Sequence, residues 1–189
     1  MRLFLAIEPD APTRTSISTA IDQIRSSAGD LSSAFKWTAA ANLHITLHFL
    51  GELPASRLPE LRAALAGPID VPPFAAVTAA LGTFPGHGPP RVIWLSVGDG
   101  TEGMRRIHAG LRRRMAPVSI SLDDRAFVPH FTLARTRDRD RRRARSIESV
   151  LVGLAPPVSR WLVDRVTLFE SRLGSGPPRY EVVAHLPLE

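Results

Sequence analysis

The chain has 189 residues, of which 44% are apolar and 22% charged, so it can form one sizeable folded domain and is neither disordered nor fibrous. It contains no cysteine, which excludes disulfides and thiolate metal sites. The formal charge of +6 and the pI of about 11.2 suit a polyanionic partner such as a nucleic acid. Because Lys36 is the only lysine among the 24 basic residues, a general bias towards arginine explains the charge equally well.

The N-terminal segment carries a short apolar stretch, Leu3 to Ile7, which Glu8 and Pro9 end. This stretch is too short for a signal peptide, and no later segment is long enough to span a membrane. We therefore expect a cytoplasmic protein without a membrane partner.

Hydrophobic periodicity and the glycine and proline breakers predict an alternation of strands and helices. The first half is predicted to contain, in chain order, a strand over 2–7, a helix over 12–29, a strand over 43–50, a helix over 56–65 and strands over 74–81 and 91–97, the last two joined by the loop GTFPGHGPP. The second half is predicted to contain a helix over 102–115, a strand over 127–134, a helix over 141–154 and strands over 161–170 and 179–186, the last two joined by the turn GSGPP.

After the first strand, both halves follow the order helix, strand, helix, two strands, which indicates an internal duplication. No linker rich in glycine, serine or charge separates the halves. The pattern therefore predicts a single domain over 1–189 made of two pseudo-symmetric lobes. We expect an α+β fold with two largely antiparallel sheets flanked by helices.

A histidine and a threonine two residues apart occur once in each half, in LHITLHFLG and in VPHFTLAR. Side chains alternate between the faces of a strand, so His44 and Thr46 share one face, and His130 and Thr132 share one face of their own strand. His48 extends the first face by the same alternation. If the halves pack about a pseudo-two-fold axis, the two pairs face each other across a central cleft.

Two facing imidazoles suit displacement at phosphorus. Unperturbed histidine has a pKa of about 6.5, so one ring can accept a proton while the other donates one. The threonine hydroxyls can donate hydrogen bonds to the non-bridging oxygens of a phosphate, where negative charge grows. This chemistry requires no metal and no cofactor.

The two motifs, HITL and HFTL, are similar to the mark of the 2H phosphoesterase superfamily. The stretches RLFLAI, NLHITLHFLG, RVIWLSV, FVPHFTLAR and VTLFESRLG resemble, more narrowly, the LigT-like RNA 2′,3′-cyclic phosphodiesterases, over essentially the whole chain. The resemblance implies a bilobal α+β fold whose motif strands line a cleft. It also implies hydrolysis of an RNA 2′,3′-cyclic phosphate end to a 2′-phosphate, with some relatives joining tRNA halves through 2′,5′ bonds.

The resemblance also implies residue roles. His44 would be the proton donor to the leaving oxygen and His130 the proton acceptor, while Thr46 and Thr132 would bind the phosphate. Two further positions match substrate-binding positions of the family, namely Arg135 and Phe49. Strict alternation puts both on the faces away from the histidines, so they reach a ligand only where a strand ends or bulges. We further expect a monomer, with tRNA fragments among its RNA substrates.

Several alternatives stay open at this point. His44 and His48 can form a metal-chelating pair, although no carboxylate lies beside them and metal binding is disfavoured. The arginine-rich run from Arg135 to Ser146 can steer RNA or form a solvated helix start. Rival functions are a 2′,5′-phosphodiesterase or RNA 2′,5′-ligase, an enzyme acting on small cyclic nucleotides, and a non-catalytic RNA-binding module.

Overall fold

The computed structural model describes residues 1–172, 174 and 178–189, and this part of the chain contains four α-helices and nine β-strands. The helices are α1 (Ala11–Ala28), α2 (Leu58–Ala64), α3 (Thr101–Met115) and α4 (Ile147–Val152). The strands are β1 (Arg2–Ile7), β2 (Phe35–Trp37), β3 (Ile45–Glu52), β4 (Phe74–Phe84), β5 (Val92–Val97), β6 (His130–Thr136), β7 (Arg160–Val163), β8 (Arg165–Arg172) and β9 (Arg179–Pro187).

The strands form one antiparallel ladder in the order β7-β4-β5-β6-β3-β1-β8-β9, and the short β2 pairs with β6 beyond the end of β3. The antiparallel α+β prediction is therefore confirmed. The structure has this one continuous sheet in place of the two separate sheets that were predicted, and its two halves are joined at the β3–β6 pair, where Ile45 lies opposite Phe131. None of the helices described is long and apolar enough to cross a membrane.

The helices cover one face of this sheet, which we call the core face. Each helix contributes an apolar stripe, such as Ile17, Ile21 and Ile24 of α1, to the main hydrophobic cluster. Burial of this stripe follows from its helical spacing, and α1 begins where Asp10 accepts a hydrogen bond from the Thr13 amide. The opposite face carries the motif histidines, and we call it the histidine face.

Several predicted boundaries were wrong. The single strand predicted over 161–170 is divided into β7 and β8, which lie at different places in the sheet. β4 continues through Gly82 to Phe84, inside the predicted loop. The helix predicted over 141–154 is a short α4 preceded by 3₁₀ turns, and β2 was not predicted. The turn GSGPP lies largely outside the described residues.

Candidate active site

The pairing of Ile45 with Phe131 positions the motif side chains. Both residues are fully buried on the core face, so their neighbours along each strand point to the other face. Continuing the antiparallel register by one residue in each direction puts a histidine of one strand opposite a threonine of the other. The four side chains that share the histidine face are His44, Thr46, His130 and Thr132.

The two imidazoles are held by the same local contact. Nδ1 of His44 is 2.7 Å from the Asn42 carbonyl oxygen, and Nδ1 of His130 is 2.7 Å from that of Val128. A carbonyl oxygen only accepts, so each Nδ1 carries a proton and each Nε2 can accept a hydrogen bond or a proton. Nε2 of His44 also lies 3.1 Å from the Thr46 hydroxyl. Sequence patterns did not reveal these backbone partners.

Aromatic side chains enclose His44. Its ring lies 5.0 Å from Phe4 and 5.3 Å from Tyr180, the latter in an edge-to-face arrangement. Burial is the main cause that lowers the His44 pKa from 6.5 to about 4, against the opposing effects of the Asn42 carbonyl and the Glu8 carboxylate. The free site therefore holds a neutral His44 at pH 7.

His130 has a similar environment from other strands. Its ring makes an edge-to-face contact with Phe84 at 5.2 Å, and Phe84 contacts Trp94 at 5.1 Å. Trp94 of β5 lies opposite Thr132 and covers Gly82 so closely that a Cβ there would overlap the indole. Burial lowers the His130 pKa below 6.5, against the effect of the Val128 carbonyl.

Both motif strands contain a β-bulge directly after the threonine. On β6, the consecutive residues Ile93 and Trp94 of β5 oppose Ala134 and Thr132, so Leu133 is the extra residue. On β3, consecutive residues of β1 oppose His48 and Thr46, so Leu47 is the extra residue. A bulge reverses the side-chain alternation beyond it. In both strands, the side chains after the motif therefore point to the opposite face from the one that strict alternation predicts.

The bulges bring Phe49 and Arg135 onto the histidine face. Phe49 is half exposed and its ring lies 6.2 Å from Phe4, which also contacts His44. Arg135 is exposed, and its guanidinium lowers the pKa of both motif histidines after the larger effect of burial. Strict alternation, which separated these two side chains from the histidines, does not hold at these positions.

The same bulge makes the predicted placement of His48 wrong. His48 is 3% exposed on the core face, where its ring stacks on His108 of α3 at 4.0 Å. His108 in turn stacks on Phe127 at 4.5 Å, and the His48 Nε2 lies 2.8 Å from the His108 carbonyl oxygen. Since His44 and His48 face opposite ways, they cannot chelate one metal ion. No group of three or more His, Asp or Glu side chains suited to a metal occurs in the described ranges.

The arginine-rich run is largely tied to the chain itself. Arg139 and Arg141 pair with neighbouring aspartates, and Arg137 and Arg143 bond to the segment around Ser33. Among the tryptophans, Trp161 is buried in the core, while Trp94 lies opposite Thr132.

The arrangement can therefore bind an anion between two hydroxyls and two imidazoles. Thr46 and Thr132 offer donors to non-bridging oxygens, and Arg135 adds a nearby positive charge. The two Nε2 atoms belong to two different strands, so one ring can act as a base while the other acts as an acid. Phe49, which is half exposed beside Phe4, offers apolar surface on this face on which a nucleobase can stack.

Comparison with known proteins gives a consistent result. Residues 13–174 match the family model described as the 2′-5′ RNA ligase superfamily. The chain is 32% identical over its whole length to the RNA 2′,3′-cyclic phosphodiesterase of Thermus thermophilus, covering 90% of that protein. It is 33% identical over 144 residues to the protein of the same name from Escherichia coli, covering 75% of this chain and 73% of that protein.

Solved structures agree with this likeness. The crystal structure of Escherichia coli LigT complexed with 3′-AMP is similar to the chain with a TM-score of 0.77 and 28% identity, covering 99% of this chain and 97% of LigT. A Thermus thermophilus protein of known structure has a TM-score of 0.77 and 30% identity, covering 100% of this chain and 98% of that one.

Proposed function

The chain belongs to the 2′-5′ RNA ligase superfamily, and we propose that it is an RNA 2′,3′-cyclic phosphodiesterase. It would hydrolyse the 2′,3′-cyclic phosphate at an RNA 3′ end to a 2′-phosphate. The observation that carries this proposal is the Ile45–Phe131 pairing, which gives two His-x-Thr motifs a common face. The 3′-AMP bound by the related LigT supports a nucleotide with a 3′-phosphate as the kind of ligand.

In the proposed mechanism, water is the nucleophile and His130 the base. Nε2 of His130 takes a proton from the water as its oxygen forms a bond to phosphorus. The bond from phosphorus to the 3′-oxygen breaks, and this oxygen receives the proton carried by Nε2 of His44. The products are a 2′-phosphomonoester and a 3′-hydroxyl, and each proton transfer contributes roughly 10²- to 10⁴-fold in rate.

His44 must become protonated to act as the acid. Burial makes the cation unfavourable in the free site, but a bound cyclic phosphate adds a negative charge that favours it. The Glu8 carboxylate also favours protonated His44 and does not contribute to the pKa shift of His130. The assignment of His44 as donor and His130 as acceptor follows the family resemblance, in which Thr46 and Thr132 bind the phosphate.

Product analysis tests the proposal directly. An RNA oligonucleotide ending in a 2′,3′-cyclic phosphate is incubated with the protein in EDTA, and the ends are separated by chromatography against 2′- and 3′-phosphate standards. We expect a 2′-phosphate, formed without an added metal. An unchanged cyclic end in both EDTA and magnesium, or a 3′-phosphate product, contradicts the proposal.

A second reaction is favoured by the description of the matching family. If the 5′-hydroxyl of another RNA replaces water, the same two histidines would form a 2′,5′ bond, and the reverse reaction would cleave it. Adding a 5′-hydroxyl oligonucleotide to the assay, and offering a 2′,5′-linked dinucleotide separately, distinguishes ligation from hydrolysis. tRNA halves as substrates, a monomeric state and a cytoplasmic location stay predictions.

A further inference from the structure

Lys36 of β2 and Arg135 of β6 are direct cross-strand partners in an antiparallel ladder. Directly opposite side chains project from the same face of a sheet, with Cβ atoms about 4.5–5.5 Å apart. Both side chains are exposed. Two positive charges are therefore held side by side on the surface of the sheet.

The neighbours of Lys36 show which face this is. Phe35 is 2% exposed within the main core, and Trp37 packs against the same core. Lys36 lies between them in the strand and so projects to the opposite side, which is the histidine face. This placement agrees with Arg135, which the bulge at Leu133 turns to that face.

In the absence of a bound anion, the pairing of Lys36 with Arg135 is electrostatically unfavourable. Like charges directly opposite each other destabilise a strand pair, and no carboxylate lies within salt-bridge distance of either residue in the part of the chain that the structure describes. Other arginines of this surface, such as Arg139 and Arg141, do have aspartate partners. A bound anion would relieve the repulsion between Lys36 and Arg135.

The pair lies at a defined distance from the phosphate position. Arg135 follows Thr132 by three residues on β6, which is roughly 10 Å of strand at about 3.3 Å per residue and less with a bulge. Lys36 lies beside Arg135 on β2. This strand pairs with β6 beyond the end of β3 and leads into the loop before His44. One nucleotide of an extended RNA strand can bridge this separation.

We propose that Lys36, together with Arg135, binds the phosphodiester on the 5′ side of the terminal nucleotide, and so selects RNA ends over cyclic mononucleotides. The proposal rests on the proposed function, because it places the cyclic phosphate between the two motifs. A cyclic phosphate occupies the 3′ end of an RNA, so the remaining strand can leave the site only in the 5′ direction. Lys36 would bind that strand as a flexible point charge.

The test compares two substrates that differ in one phosphate. A 2′,3′-cyclic mononucleotide lacks a 5′ phosphodiester, whereas a dinucleotide ending in a 2′,3′-cyclic phosphate has one. For Lys36→Ala we expect kcat/KM to fall about tenfold on the dinucleotide and to stay within about twofold on the mononucleotide, since a charge-assisted hydrogen bond is lost only with the former. Lys36→Glu should lower kcat/KM on the dinucleotide further than Lys36→Ala does. As the salt concentration rises, the activity of the wild type on the dinucleotide should also fall more steeply than that of Lys36→Ala.

The matched control for Lys36 is a charge reversal on another surface of the protein. Arg106→Glu reverses one exposed charge on α3, away from the histidine face, and should leave the ratio of the two kcat/KM values unchanged. Equal losses on both substrates, or no loss on either, would overturn the role of Lys36. A wild-type protein that hydrolyses neither substrate would instead overturn the proposed function, so the two failures are distinguishable.

Discussion

Ile45 of β3 and Phe131 of β6 lie directly opposite each other, and both side chains are fully buried against the helices. This one apolar pair determines the site, because it turns the residues on either side of it to the opposite face. The two motif histidines then occupy diagonal positions, which are about 7–8 Å apart in an antiparallel pair. Both imidazoles project from these positions to the histidine face, each with a threonine two residues away on its own strand.

Replacing either motif histidine tests the paired acid and base. We expect His44→Ala and His130→Ala each to lower kcat roughly 10²- to 10⁴-fold on cyclic-ended RNA, because each variant loses one proton transfer. The double variant should lose less than the product of the two, since residues that act as a unit are not additive. Binding of a 2′-phosphate-ended RNA, measured by fluorescence anisotropy, should change little.

The exposed His87 provides the control, and His87→Ala should keep wild-type activity. If RNA affinity disappears in the motif variants and the wild type shows no turnover, the chain is an RNA-binding module instead.

The sequence predicted much of this site because its signals are local and repeated. Alternation places the two pairs, His44 with Thr46 and His130 with Thr132, on common faces of their strands. The duplication indicated that the two strands correspond. The pairing that joins them is a long-range contact, which periodicity within each strand does not determine.

The incorrect part of the prediction for the histidine face has one physical cause, the bulge after each motif. Leu47 and Leu133 look like ordinary strand residues, and nothing in their neighbours' types marks an extra residue. The bulges turn His48 to the core face and turn Phe49 and Arg135 to the histidine face. The substrate-binding roles that the family resemblance implies for Phe49 and Arg135 are therefore compatible with the fold. Strict alternation, which put both side chains on the faces away from the histidines, is not. The division of the chain into two lobes stays a prediction.

Arg135 should set the position of the pH–rate profile. Its charge lowers the pKa of both motif histidines, after the larger effect of burial. Since kcat/KM reports the free enzyme, we expect Arg135→Met to shift both limbs of the profile to higher pH, by less than about one unit. Arg135→Lys keeps the charge and should keep the wild-type limbs. A lower maximum with unmoved limbs would mean that Arg135 acts on substrate binding alone.

Gly82 is required by the position of Trp94. A Cβ at this residue would overlap the indole ring of Trp94, which pairs with Thr132 on its other side. Gly82→Ala should therefore lower the free energy of unfolding by about 1–3 kcal/mol and alter tryptophan fluorescence. Gly86→Ala is the matched control, because nothing lies within 4 Å of its Cβ position. Equal stability of the two variants would show that the indole is free to move.

Acid should destabilise the fold through its neutral histidines. The His44 pKa is about 4 in the folded chain and about 6.5 when unfolded, so between these values the unfolded state binds more protons. Stability is therefore full above pH 6.5 and is lost as the pH falls towards 4, with a slope approaching 1.4 kcal/mol per pH unit for each such histidine. The lowered pKa values of His48 and His130 act in the same direction. Urea unfolding at several pH values measures this slope, which His44→Gln should reduce. An identical slope in His44→Gln would show that His44 does not titrate as described.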